Sequence, residues 1–218
     1  MLFYLRALMS ARYSTRFQLK DAIQLYQLHS RETVNFARTA VSSFQNSVNL
    51  LEKGLGMPVD QMRILDIGPG QRYQNVLLFN SAGASITGID LEHIGPGLKK
   101  YLPMYKQEGP GRVLKSIGRS LLFDRKYFRC MESFSGITLS KKGLDLQIAD
   151  AAAMPFDDNE FDAVISSAVF EHLPDIPASI SEVARVLKPK GMCRISIHLF
   201  GSLSGGHHLE WQNPKDGD

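Results

Sequence analysis

The chain has 218 residues, 44% of them hydrophobic and 22% charged, the profile of one soluble globular domain large enough to bury its own core. A formal net charge of +3 is too small to single out nucleic acid as a partner, and no apolar run reaches the roughly 18 residues of a membrane span. Cys130 and Cys193 are far apart, form no metal-ligand spacing, and read as reduced thiols of a cytoplasmic protein.

The N-terminal stretch Met1–Met9 is apolar apart from Arg6, and Arg6, Arg12, Arg16 and Lys20 all precede the first acid, Asp21. An acid-free, arginine-bearing start has the composition of a transit peptide, although a helix docked on the domain is the plainer expectation. A secretory signal fits worse, because Arg6 interrupts the apolar region. Residues 17–53 contain neither proline nor glycine and place Val34, Ala37, Val41, Phe44, Val48 and Leu51 at alternating steps of three and four. That spacing predicts one long helix with a single apolar stripe. The stripe suits packing on a sheet, and would also suit a lid or a dimer seam. Gly54-Leu-Gly-Met-Pro58 ends it.

From Met62 the pattern changes. Arg63-Ile-Leu-Asp-Ile67 reads as a short buried parallel strand, and Gly68-Pro69-Gly70 as the tight turn leaving it. A helix-like run, Asn75–Phe79, follows, and then Ala84–Ile89, a second strand that ends at Asp90. This β-turn-α-β unit suits an adenosine-containing ligand. Glycines let the backbone approach the ligand, the helix start offers free N–H groups, and a carboxylate about 20 residues beyond can accept both ribose hydroxyls. A dinucleotide fingerprint needs G-x-G-x-x-G, but its third glycine would fall at Tyr73, which disfavours a nicotinamide-dependent oxidoreductase.

Residues 91–143 interrupt the alternation where one helix would suffice. They carry eleven Lys or Arg, among them Lys99, Lys100, Lys115, Arg119, Arg125, Lys126 and Arg129, against four acids. Val113, Leu114, Ile117, Leu121 and Leu122 give a helical apolar face alongside. The insertion reads equally as a cap for an anionic acceptor, as a contact for a membrane surface through 99–129, or as a solvated basic face.

Gly143–Asp150 reads as the next strand, Ala151–Glu160 as a loop, Phe161–Ser167 as a buried strand and Ala168–Leu173 as a turn. Ile176, Ile180, Val183, Ala184 and Leu187 mark one helix face, with Pro177 near its start and Pro189 beyond its end. Gly191–Phe200 is the last strand expected. The remainder, 201–218, is polar and glycine-rich, and its His207, His208 and Glu210 read as a loop with no metal.

Taken together, Asp66-x-Gly68-x-Gly70, Ala149-Asp150-Ala151 with Met154-Pro155-Phe156, Phe161-Asp162-Ala-Val, Phe170-Glu171-His172-Leu173 and Arg185-Val-Leu-Lys-Pro-Lys-Gly191 resemble, in order and spacing over about residues 62–200, the small-molecule class I S-adenosylmethionine-dependent methyltransferases. Arg72 departs from that pattern, since many members carry a third glycine there. The resemblance implies a Rossmann-like α/β fold, a mostly parallel sheet with helices on both faces. It divides the chain into a helical N-terminal extension (1–60), the cofactor-binding domain (61–200) with its basic helical insertion (91–143), and a polar tail (201–218). The helix and antiparallel hairpin that follow the last strand in that family have no counterpart, so a truncated chain is expected. The implied cofactor is S-adenosyl-L-methionine, held by Asp66, Gly68, Pro69, Gly70, Gln71, Asp90, Leu91, Asp150, Ala151 and Ser167. Asp150 would accept from the adenine amino group, and the acid end of the first motif would lie near the methionine portion. The expected acceptor is a small molecule or a glycan or lipid precursor, with no nucleic acid. His172 is the candidate base and His198 a weaker one. Packing or capping the turn is an equal expectation for His172. A silent cofactor-binding or scaffold module is the alternative function.

Overall fold

The computed structural model describes residues 15–92, 94–95 and 101–197. The segment 1–14, Lys99, Lys100, His198 and the tail bearing His207, His208 and Glu210 lie outside them.

Five parallel strands form one sheet in the order β3-β2-β1-β4-β5: β1 is Arg63–Ile67, β2 Ser85–Asp90, β3 Asp145–Ile148, β4 Phe161–Ser167 and β5 Leu187–Ser196. The order reverses between β1 and β4, which creates a crevice at the carboxyl edge where open parallel sheets bind ligands. Along β1 the side chains alternate between two cores. Ile64 faces a cluster with α1 (Thr15–Leu55), α2 (Gln74–Ser81) and α5 (Arg125–Ser135), while Leu65 and Ile67 face one with α6 (Ile176–Val186) and the loop after β3. The sheet is thus covered on both faces, as the family resemblance implied. Burying a side chain such as Ile64, Leu65 or Ile67 contributes about 1.5–3 kcal/mol each, so the central strand is a main source of stability.

The long helix runs as its stripe predicted. Ala37, Val41, Phe44 and Leu51 are buried, Val34 and Val48 half-buried, and Phe44 meets Phe79 of α2 edge-on at 4.9 Å. The helix packs on α5, α2 and β5, which is the sheet-covering use of the stripe.

The insertion folds into α3 (Tyr101–Glu108), α4 (Pro110–Arg119), a widened π turn (Ser120–Asp124) and α5. From Pro110 to Ser135 the backbone is one continuous helical run. Its buried side is Ser116, Asp124, Tyr127 and Met131. The apolar face expected from the sequence is not the packed one: Leu114, Leu121 and Leu122 are exposed and Val113 and Ile117 half-buried.

Two further boundaries differ from the pattern. In α6 the buried residues are Ser179, Val183 and Val186, whereas Ile176, Ile180 and Ala184 face outward, so the apolar set spans more of the helix than the sheet covers. Asp175 caps this helix by accepting from the Ala178 N–H at 2.9 Å. The last strand begins at Leu187 rather than Gly191, because Leu187 pairs with Phe161 before the register shifts and resumes at Met192 opposite Ala163. Lys190, at φ +69°, makes the irregularity.

Candidate functional site

A cavity of about 470 Å3 opens at the carboxyl edge of the sheet, within the ~300–1,000 Å3 common for small-ligand sites. Each side comes from a different strand. Ile67, Gly68, Gly70 and Gln71 follow β1, Ile89, Asp90, Leu91 and Glu92 close β2, Ala149, Asp150 and Ala151 follow β3, and Ala168, Val169, His172, Leu173 and Pro174 follow β4. The fold therefore brings together Gly68, Gly70, Gln71, Asp90, Leu91, Asp150, Ala151 and His172 from the expected set.

The glycine turn has a steric origin. Gly68 adopts φ +70° and donates its N–H to Ile89 O at 2.8 Å, and a Cβ on it would lie 2.3 Å from a Val169 methyl. Gly70, at φ +64°, would point a Cβ into open space. Tyr73 stands where a dinucleotide fingerprint has its third glycine. It takes the positive φ that glycine would take, 36°, with its ring buried at the start of α2.

Asp90 is fixed by two backbone donors, Gly70 N–H at 3.3 Å and Glu92 N–H at 3.0 Å. Burial pushes its pKa up, while those two N–H groups oppose the shift. Gln71 donates to Glu92 Oε2 at 2.9 Å, while its own Oε1 is buried without a partner. Asp150 is exposed and oriented by accepting from the Ala152 N–H at 2.9 Å. The loop beyond it is held from α6. Arg185 donates to Met154 O and Phe156 O and pairs with Glu182 and Asp158, and Glu182 in turn accepts from the Met154 N–H.

Asp66 sits lower. It is buried, 1% exposed, and neither carboxyl oxygen makes a hydrogen bond of ordinary geometry. Burial raises its pKa to about 7, the nearby Asn75 side chain opposes this, and the Asp90 charge adds to it. An unpaired buried carboxyl directly before a ligand-sized cavity is costly for folding and is the kind of group found at functional sites.

Pro69 and Ser167 stand outside the cavity lining. Pro69 packs against Gly88, and Ser167 pairs in register with Ser196 of β5. Ser166, its buried neighbour, donates to Ile67 O at 2.9 Å and ties β4 to β1. Ala168 and Val169 occupy the place expected for Ser167, and Ala168 does so at φ +57°, a strained value for a residue with a Cβ. Glu92, Ala149, Ala168, Val169, Leu173 and Pro174 were not read from the sequence. For Ala168 and Val169, the signal was their position directly beyond the central strand. His172 is exposed at the cavity edge, in a short turn where its N–H donates to Val169 O at 2.8 Å.

Arg72 turns away from the cavity. Its Nε contacts Asp124 Oδ1 at 3.0 Å, and its guanidinium lies 4.4 Å from the centre of the Tyr127 ring. Tyr127 in turn hydrogen-bonds Gln74. Arg72 thus ties the insertion to the glycine turn. A second cavity, about 320 Å3, lies between α2 and α5 with Arg125, Arg129 and Lys141 on its wall. It contains none of the expected site residues, so the chemistry is sought in the larger one.

Among known proteins, residues 126–195 match the family model described as methyltransferase domain. The ubiquinone/menaquinone biosynthesis C-methyltransferase UbiE of Desulfotalea psychrophila is 42% identical over 52 residues, 24% of this chain and 21% of that protein. The sterol 24-C-methyltransferase ERG6B of Gibberella zeae is 26% identical over 205 residues, 90% of this chain and 44% of that protein. The chain thus spans less than half the length of either relative. A possible histamine N-methyltransferase from Thermotoga maritima superposes with a TM-score of 0.44 at 15% identity, covering 87% of this chain and 63% of that one. Residues 126–195 thus match a methyltransferase domain by sequence, and in motifs and fold the chain resembles the class I S-adenosylmethionine-dependent methyltransferases.

Proposed function

We propose that the chain binds S-adenosyl-L-methionine in the 470 Å3 cavity and transfers its methyl group to a small-molecule, glycan or lipid-precursor acceptor. The observation that carries this reading is the convergence of the Gly68–Gly70 turn, Asp90 and Asp150 on one cavity at the point where the strand order reverses. The residues present fit the cofactor. Gly70 leaves room beside the backbone, Asp90 is oriented to accept the ribose hydroxyls, and Asp150 suits the adenine amino donor. The buried Asp66 carboxyl lies beneath the turn, and with its pKa raised to about 7 it supplies negative charge there only above that pH.

When bound, the cofactor supplies an electrophilic methyl group on a sulfonium sulfur. The chain's task is to align an acceptor in line with that carbon and to exclude water. Where the acceptor must lose a proton, His172, which lines the cavity edge, would take it. The relatives named for sterols and quinones support a lipidic acceptor within this set.

The ribose assignment is tested with Asp90→Ala. Loss of a carboxylate accepting two hydroxyls predicts S-adenosylhomocysteine binding weaker by about 10- to 100-fold. Unchanged affinity in a folded variant would remove Asp90 from the site.

A further inference from the structure

Among the described residues, thirteen large apolar side chains are exposed, and five of them (Leu102, Tyr105, Leu114, Leu121 and Leu122) fall within positions 102–122. They are 55–77% exposed, which is far from core. Scattered exposed leucines need no explanation, but a cluster on one inserted element does. On the run from Pro110 to Ser135, Leu114 and Leu121 are two turns apart on one side, followed a turn later by Arg125. Ser116, Asp124, Tyr127 and Met131 face the protein on the opposite side.

The charge is equally localised. Residues 91–143 hold eleven cations and four acids, a net +7 against +3 for the whole chain, so the remainder carries −4. Lys106, Arg125, Lys126 and Arg129 are exposed on this element. No residue of 101–135 lines the cavity below β1 and β4, so this apolar surface is not a wall of that site. The Arg72–Asp124 pair and the buried Tyr127 hold it against the core.

We propose that the insertion lies on an anionic lipid bilayer, its leucines entering the boundary between headgroups and chains and its cations meeting the lipid charge. Leucines flanked by cations are the composition of a helix that rests in the interfacial plane. A second copy of the chain is disfavoured as the occupant, since two insertions each of net +7 would repel. A nucleic acid would use the cations and leave the leucines in water. No helix among the described residues is long and apolar enough to cross a membrane, so the contact is peripheral. The remaining −4 would be repelled by the same surface and would orient the chain with its insertion down. The inference stands independently of what the cavity binds.

The test is co-sedimentation of the full chain with vesicles of phosphatidylcholine alone or mixed with phosphatidylserine. Partitioning about tenfold or more stronger onto the mixed vesicles, weakening as salt is raised, is expected. The double variant Leu114→Asn, Leu121→Asn keeps the charge and should lower partitioning about tenfold or more. Its melting temperature should match the parent's, because both side chains are already exposed. Equal binding to both vesicle types, absence of binding, or undiminished binding by the leucine variant would overturn the proposal. So would a concentration-dependent dimer that the leucine variant abolishes.

Discussion

Asp66→Asn should change the pH dependence of stability in a direction that only a buried, unpaired carboxyl produces. The Asp66 pKa is raised from 3.8 to about 7, chiefly by burial. Between these values the folded chain keeps a proton that the unfolded chain has lost. Stability therefore falls as pH rises through the window from about 4 to about 7, and levels off above it. A shift of roughly three units corresponds to on the order of 4 kcal/mol, an upper figure because water can relax the site. The assay is urea unfolding of parent and variant at about pH 5 and about pH 8. Any pH-independent effect of the asparagine cancels when the two pH values are compared. The parent should lose about 2–3 kcal/mol more than the variant between them, the part of the window that lies above pH 5. Parallel stability profiles would refute the assignment of a buried proton to Asp66.

Three other substitutions probe the surroundings. Gly68→Ala drives a Cβ into Val169 at 2.3 Å and holds alanine at φ +70°, so it should cost about 1–3 kcal/mol in denaturant unfolding and reduce ligand affinity. Arg72→Gly would remove the tether to Asp124 and Tyr127. A loss of about 1–3 kcal/mol is expected, with earlier proteolytic cutting in 101–124, and an unaltered cutting pattern would contradict the tether. Arg185→Met releases the Met154 and Phe156 carbonyls, so the melting temperature should fall and limited proteolysis should begin at 154–158. Cutting elsewhere first would show that the loop is held by other means.

Much of this architecture is written in short-range pattern. The stripe from Val34 to Leu51, the β1 run ending in glycines, and the acid closing β2 follow from periodicity and turn chemistry, Asp150 is implied by the family resemblance, and the structure places Asp90 and Asp150 at one cavity. The methyltransferase-domain match begins at residue 126, so it covers the later motifs while the glycine turn lies outside it. What stayed hidden depended on partners distant in sequence. Periodicity marks Leu114 and Leu121 as an apolar face but cannot say that the protein turns that face outward. Ser167 looked like a cavity residue by position. The positive φ of Ala168 and the hydrogen bond from its N–H to Ser196 O instead place Ala168 and Val169 there. Arg72 read only as a missing glycine, because its partner Asp124 lies 52 residues away. Asp66 is legible as the acid of the first motif, but its burial is a property of the packed interior.

The most direct test of the account is calorimetric titration of the purified chain with S-adenosylhomocysteine, with NAD as the parallel ligand. The account predicts saturable binding of one S-adenosylhomocysteine per chain and none of NAD. Binding of NAD, or no binding of S-adenosylhomocysteine by a chain shown to be folded, would contradict it.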